Sequence, residues 1–256
     1  MTTAGTGWLK IVGLGPGDPR LLVPAAAEAL ATATDLVGYA TYVDMVAPRD
    51  GQSRHVSDNR EELDRAAHAL DLAVAGGRVA VVSSGDPGVF AMAAAIFEVL
   101  DDPQGDARWR DVDVEVVPGI TAALAVAARV GAPLGHDWCC LSLSDNLKPW
   151  PVIERRLDAV AAADFVVALY NPVSRHRPWQ LGRAFEILAT GREPSTPVVL
   201  GRDVGRPAET VTVTTLGTVD LSVVDMRTVL IVGSSTTRTI AGDRVYTPRS
   251  YADVLL

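Results

Sequence analysis

Three glycine-bearing segments hold the residue types from which chemistry could be built in this chain of 256 residues. The first, Gly13-Leu-Gly-Pro-Gly-Asp18, has the outline of a dinucleotide-binding loop but poor chemistry for one. Asp18 stands where the third glycine belongs, and its carboxylate would repel a pyrophosphate. Pro16 removes a backbone N–H that a phosphate cradle would use. Asp35 lies where a ribose-binding acid would follow, so NAD binding stays open beside the plainer alternative of a tight strand-to-helix turn. The second segment, Ser83-Ser-Gly-Asp-Pro-Gly-Val-Phe90, sets Asp86 between two turn-permitting glycines stiffened by Pro87. A carboxylate at such a rim suits an ammonium or a sulfonium better than a phosphate; as a purely structural residue, Asp86 would cap the helix that follows. The third is Val117-Pro-Gly-Ile-Thr-Ala-Ala123, where Thr121 either caps a helix or offers its hydroxyl to a ligand carboxylate at the positive helix end.

Elsewhere the chain carries no recognisable nucleophile or metal signature. Cys139 and Cys140 are adjacent and are the only cysteines, and His55, His68, His136 and His176 are scattered, so no metal site is expected. Acids outnumber bases 31 to 23, for a net charge of −8, which argues against broad binding to nucleic acid or an anionic membrane. Lys10 and Lys148 are the only lysines; every other base is arginine, read either as compositional bias or as bidentate carboxylate recognition. No apolar run reaches the ~18 residues of a membrane span. The short polar start, Met1–Gly7, lacks the features of a secretory signal, so a cytoplasmic protein is expected.

The elements that must position these segments follow from hydrophobic periodicity. Short apolar runs alternate with helical patterns, which predicts an α/β fold with mostly parallel sheets. Strands are expected at Trp8–Leu14, Arg78–Ser83 and Val112–Val117, with helices over Pro24–Thr34, from Leu63 to Val74, and over Val89–Leu100. Asp58 with Glu61 resembles a capping box, and Gly76–Gly77 stops the helix it opens. The Pro118-Gly119 pair marks an expected domain boundary. Beyond it come helices at Thr121–Arg129, Pro151–Ala162 and Trp179–Thr190, and strands at Cys139–Leu143, Phe165–Tyr170, Pro197–Gly201, Thr210–Thr214 and Thr228–Gly233. Two α/β lobes of similar size result, residues 1–117 and 118–256, without a sequence repeat between them.

In this order, the loops resemble those of the tetrapyrrole methyltransferases. The shared marks are Gly13–Asp18, Gly85-Asp-Pro87, Pro118-Gly-Ile-Thr-Ala122 and the Pro197–Leu216 segment. A narrower resemblance, to the branch that methylates C17 of precorrin-3B or of its cobalt-containing counterpart, rests on several further motifs. These are Ser142-Leu-Ser-Asp145 with Pro149-Trp150, Ala168-Leu-Tyr-Asn-Pro172 with Ser174 and Arg177, and Asp225-Met226. Gly233-Ser-Ser-Thr-Thr-Arg238 and Thr247-Pro-Arg-Ser-Tyr251 complete the set, which covers residues 8 to 252. Ser234 and Ser250 depart from it, where the family has Asn and Gly.

The resemblance implies S-adenosylmethionine held in a cleft between two lobes, a tetrapyrrole substrate and a homodimer. It places Pro16, Gly85, Asp86, Val89, Phe90, Thr121 and Ala122 at the methionine end of the cofactor, and Tyr170, Asn171, Val204 and Thr228 nearer the adenosine. Precorrins carry many carboxylates, for which Lys148, Arg175, Arg177, Arg202, Arg206, Arg238 and Arg249 are the candidate clamps. Methyl transfer from a sulfonium needs no protein nucleophile, and alignment alone supplies up to ~7–11 kcal/mol in favourable intramolecular cases. In the family the reaction also contracts the macrocycle, and Ser144, Asp145 or His176 could assist the proton transfers this requires. The alternatives are another substrate of the same family such as an RNA ribose, a nicotinamide-dependent reductase, and a tetrapyrrole carrier without turnover.

Overall fold

The computed structural model describes residues 7–58 and 61–251. The polar stretch at residues 1–6 and the end of the resemblance at residue 252 therefore lie outside the described residues. The chain divides into two compact units, Met1–Thr121 and Ala122–Leu256. The division falls after Thr121 rather than after Val117 because the Gly119 N–H is bonded to Asp86, which ties the Pro118-Gly119 turn to the first unit.

The first unit contains β1 (Trp8–Gly13), α1 (Pro24–Thr32), β2 (Asp35–Tyr39), α2 (Ala40–Val43), β3 (Ser53–Ser57), α3 (Glu62–Val74), β4 (Arg78–Ser83), α4 (Met92–Asp101) and β5 (Asp113–Val117). Its sheet has the order β3-β2-β4-β1-β5 with every pair parallel. The period-two alternation of the strands feeds two cores. Leu9, Ile11, Val79 and Val81 pack with α3 and α4, while Val12, Ala80 and Val82 pack with α1 and α2. Glu61 Oε2 accepts the Asp58 N–H at 3.2 Å, but Glu61 itself precedes α3 and gives no side-chain cap, so the contact lies ahead of the helix and the expected capping box does not form. β2 and β3 escape the periodicity reading because Asp35-Leu-Val-Gly-Tyr and Ser53-Arg-His-Val-Ser are short and contain few apolar residues.

The second unit contains α5 (Ala122–Val130), β6 (Gly131–Ala132), β7 (Trp138–Ser142), α6 (Trp150–Ala162), β8 (Val166–Tyr170), α7 (Gln180–Leu188), β9 (Pro197–Arg202), β10 (Thr210–Thr215), β11 (Thr228–Val232), β12 (Arg238–Ile240) and β13 (Arg244–Tyr246). Its main sheet, β10-β9-β11-β8-β7, corrects the expectation of parallel strands. Only β7 and β8 run parallel, joined through α6; the other pairs are antiparallel. The reason is connectivity: with no helix between them β9 returns directly as β10, and β11, running the same way as β10, inserts between β9 and β8 antiparallel to both. A small sheet, β12-β13-β6, sits apart from it. Leu143, Ile153, Leu157, Leu169, Leu188 and Leu230 form the core under α6 and α7. Across the sheet α5 lies so close that a Cβ on Gly201 would collide with Val126.

Cys139 and Cys140 are half-buried on β7, and burial raises both thiols, Cys140 to about 11. Arg192, 7% exposed, braces the same unit: Nε donates to Gly233 O at 2.8 Å and Nη2 to Phe165 O at 2.6 Å. Burial lowers its pKa. Replacing it by Leu strands both carbonyls, and denaturant unfolding is expected to show a loss of about 3 kcal/mol.

Candidate functional site

In a parallel sheet every strand delivers its carboxyl end to one edge, so the loops after β1, β4 and β5 gather there. Their backbones are bonded directly. Leu14 N–H donates to Ser83 O at 2.8 Å, and Gly15 and Gly85 exchange N–H···O bonds of 3.1 and 2.8 Å. Gly15 and Gly85 both adopt left-handed φ, 66° and 69°. A Cβ on Gly13 would lie 2.7 Å from Gly85 O, and one on Gly119 would fall well inside contact distance of the same oxygen. The glycines are therefore demanded by three backbones meeting, with no phosphate needed to explain them.

Asp86 completes this junction. Oδ1 accepts the Gly88 N–H at 2.8 Å and Oδ2 the Gly119 N–H at 3.0 Å. The expectation of a simple helix cap fails, because α4 starts only at Met92 and Ala91 occupies its capping position. Pro16 is buried, Val89 half-buried, and Phe90 is exposed with φ 54°, an unusual conformation for an aromatic residue. Thr121 is 8% exposed.

The two acids of the nicotinamide alternative are employed elsewhere. Asp18 accepts the Arg20 N–H at 2.9 Å and pairs with its guanidinium, closing a short 3-10 turn. Asp35 begins β2 and so lies at the amino edge of the sheet, away from the loops. It accepts from Thr34 Oγ1 at 2.7 Å and is bonded to His55 Nε2 at 2.9 Å. His55 in turn meets His68 at 3.1 Å, a pairing across 13 residues that sequence spacing did not reveal.

The second unit gathers its candidates on one edge of the main sheet. The carboxyl ends of β7, β8 and β9 and the starts of β10 and β11 share it by register. Tyr170 Oη accepts the Ala123 N–H at 2.8 Å, beside Ala122 at the start of α5. Asn171, at φ 50°, donates Nδ2–H to Ser142 Oγ at 2.9 Å, while its carbonyl accepts from Arg177 Nη1 at 2.9 Å. Thr228, 3% exposed, donates its hydroxyl to Asp225 Oδ1 at 3.1 Å. Val204 is buried next to Asp203, which is also at φ 50°.

The seven cationic candidates do not form one set. Lys148, Arg175, Arg177, Arg202 and Arg206 are on loops of this edge, but Arg238 and Arg249 are not. β11 ends at Val232 on the opposite edge, and the Thr237–Thr247 hydroxyl contact at 2.9 Å holds the later loops there. The departures go with them: Ser234 is buried in that hydroxyl cluster, its N–H bonded to Thr237 Oγ1, and Ser250 follows Arg249. Arg177 is 5% exposed and binds the carbonyls of Leu143 and Asn171, so it joins the loops after β7 and β8. Arg202 is held by Asp225 at 2.9 Å and Asp203 at 3.2 Å. Arg206 turns back on Asp203 through its N–H. Arg175 is exposed and lines a cleft of about 410 Å³ with Val173, Val224, Met226 and Arg227. Lys148 is half-buried; burial lowers its pKa first, and the charges of Arg156 and Arg177 lower it further.

Of the weaker candidates, Asp145 accepts from Gln180 Nε2 at 3.1 Å, Ser144 is half-buried and His176 is exposed. Sequence reasoning passed over Gln180, a polar residue at a helix start that reads as solvated yet is 2% exposed. It also missed the edge-to-face pair of Trp150 and Trp179, 4.8 Å apart, near the fully displayed Leu147.

A model of the tetrapyrrole (corrin/porphyrin) methylases matches residues 9–220. A precorrin-3B C(17)-methyltransferase of a Sinorhizobium species is 55% identical over 251 residues, covering 96% of this chain and 98% of that protein. The cobalamin biosynthesis protein CobIJ of Mycobacterium tuberculosis is 52% identical over 97% of this chain, which spans only 49% of that longer protein. Among solved structures, the methyltransferase CobJ superposes with a TM-score of 0.90 at 50% identity, over 94% of this chain and all of the other.

The close approach of the loops gives a paired prediction. Gly119→Ala forces the loops after β1, β4 and β5 apart and costs about 1–3 kcal/mol in chemical denaturation. Gly182→Ala, on the open face of α7 with nothing within 4 Å of the added methyl, stabilises by about 0.5–1 kcal/mol in the same measurement.

Proposed function

The chain belongs to the tetrapyrrole (corrin/porphyrin) methylases, and on that premise we propose that it transfers a methyl group from S-adenosylmethionine to C17 of precorrin-3B. Ring contraction to precorrin-4, on the route to cobalamin, accompanies the transfer. The observation that carries this reading is the 55% identity with a precorrin-3B C(17)-methyltransferase over nearly the whole of both chains. The narrow motifs agree with it, since Ser142–Asp145, Tyr170–Arg177 and Asp225–Met226 lie on one edge of the second unit.

S-adenosylmethionine supplies an electrophilic methyl on a sulfonium. The residues present suit such a ligand: Asp86 offers a part-exposed carboxylate fixed by two backbone N–H groups, on loops held rigid by the glycine junction. In this reading Pro16, Gly85, Asp86, Val89, Phe90, Thr121 and Ala122 serve the methionine end, and Tyr170, Asn171, Val204 and Thr228 the adenosine. Held by such contacts, the donor is oriented, which is the main service a displacement without a protein nucleophile requires. Lys148 and Arg175 receive substrate carboxylates, while Arg177, Arg202 and Arg206 keep the loops that carry them in place. A cytoplasmic homodimer completes the reading; among the described residues no helix is long and apolar enough to cross a membrane.

The deciding experiment is mass spectrometry of the product formed from isotope-labelled S-adenosylmethionine and precorrin-3B. One labelled methyl and the absorbance of a contracted ring are expected. No incorporation, or incorporation only with a cobalt-containing substrate, would overturn the precorrin-3B assignment. Lys148 gives a separate check. Because its pKa is lowered, its positive charge disappears at a lower pH than that of an exposed lysine. The substrate KM should therefore climb as pH rises into the alkaline range. Lys148→Arg flattens that climb, and Lys148→Gln raises KM about tenfold near neutrality.

A further inference from the structure

We propose that Asp145 is the base that accepts a proton when the macrocycle is methylated, and that Gln180 is its positioning residue; this deepens the function proposed above and rests on it. Charge balance creates the need. A methyl group delivered from a sulfonium leaves a neutral thioether behind, so the positive charge passes to the methylated product. It remains there until a substrate C–H or O–H bond breaks. The electron pair of that bond stays with the product, and the proton forms a new O–H bond on a carboxylate.

The acids on the candidate edge of the second unit differ sharply in how they are occupied. Asp203 is 7% exposed and held between Arg202 at 3.2 Å and Arg227 at 3.3 Å. Asp225 is bonded to Arg202, to Thr228 and to the Arg227 N–H. Glu209 is paired with Arg129 at 2.6 Å and accepts the Gly205 N–H. Asp145 is different. Its side chain is 27% exposed, and its nearest cation, Arg177 Nε, stands 3.9 Å away, too far for a hydrogen bond. Oδ2 is held by a neutral amide, the Gln180 Nε2–H, at 3.1 Å. The carboxylate is thus held by a neutral amide and only a long ion pair to Arg177, less committed than its neighbours, the condition a proton acceptor needs.

Gln180 is shaped for this task at some cost. It begins α7, is 2% exposed, and its Oε1 is buried with no protein partner. Turning the amide over would set Oε1 against the Asp145 carboxylate, acceptor to acceptor, so the orientation is chemically forced. A leucine here would avoid the unpaired carbonyl; the glutamine provides the donor that fixes Asp145. The charges facing Asp145 are Arg177 from the loop after β8 and, beyond it, Lys148 and Arg156, which act on each other.

The test uses the full-length protein. Asp145→Asn should lower kcat about 10²–10⁴-fold with S-adenosylmethionine affinity by calorimetry and macrocycle KM changed by less than about threefold, and Asp145→Glu should restore part of the rate. Gln180→Leu should lower kcat about tenfold in the wild type and add nothing in the Asp145→Asn background, the non-additivity of two residues acting through one. An Asp145→Asn enzyme within about fivefold of wild-type kcat, or equal Gln180→Leu losses in both backgrounds, would each overturn the proposal. A wild-type protein that transfers no methyl group overturns the function first and this inference with it. Turnover by the wild type beside an unimpaired Asp145→Asn enzyme overturns only the inference.

Discussion

The first unit depends on three strand ends whose backbones touch. Gly13 and Gly119 approach the Gly85 carbonyl so closely that neither can carry a side chain, and the paired bonds between Gly15 and Gly85 fix the distance. Much else follows from that contact. The loops after β1, β4 and β5 become one rigid surface of backbone, and Asp86 is held across it by N–H groups from two of them. Preorganisation of this kind suits a reaction in which the protein's contribution is alignment.

The second unit poses a different problem: under the proposed function it must place positive charge for a polyanionic substrate on a chain of net charge −8. Most of its arginines are consumed internally. Arg177 joins two loops through carbonyl groups, Arg202 bridges Asp203 and Asp225, and Arg192 ties the far end of the sheet together. On the candidate edge what remains for a ligand is modest, Lys148 and Arg175, and both lie on loops that the buried Arg177 joins. Guanidinium suits the bracing role because its planar fork satisfies several carbonyls at once.

The three glycine segments, the long helices and the strongly apolar strands were legible in the sequence because their signals are local. Gly76–Gly77 ends α3, and Arg78–Ser83 is the same strand in both readings. What the sequence hid depends on long-range geometry. That Asp86 bridges two loops was hidden because its partner Gly119 is 33 residues away. The seven cationic candidates looked like one trough because spacing along a chain does not reveal on which edge of a sheet a loop emerges, and antiparallel β11 sends Arg238 to the opposite one. β2 was missed because its apolar run is only Leu36-Val37 before Gly38, and β3 because it is an edge strand with a single apolar residue, Val56. Gln180 was invisible because burial of a polar residue is decided by what packs over it.

A protein that handles an alkylating sulfonium has reason to keep soft nucleophiles quiet. Its sole sulfhydryls, Cys139 and Cys140, are neighbours on β7, and burial holds Cys140 near 11 and raises Cys139 as well. At physiological pH hardly any anionic sulfur exists in the polypeptide. Under the proposed function, that leaves little sulfur in the polypeptide able to attack the methyl donor.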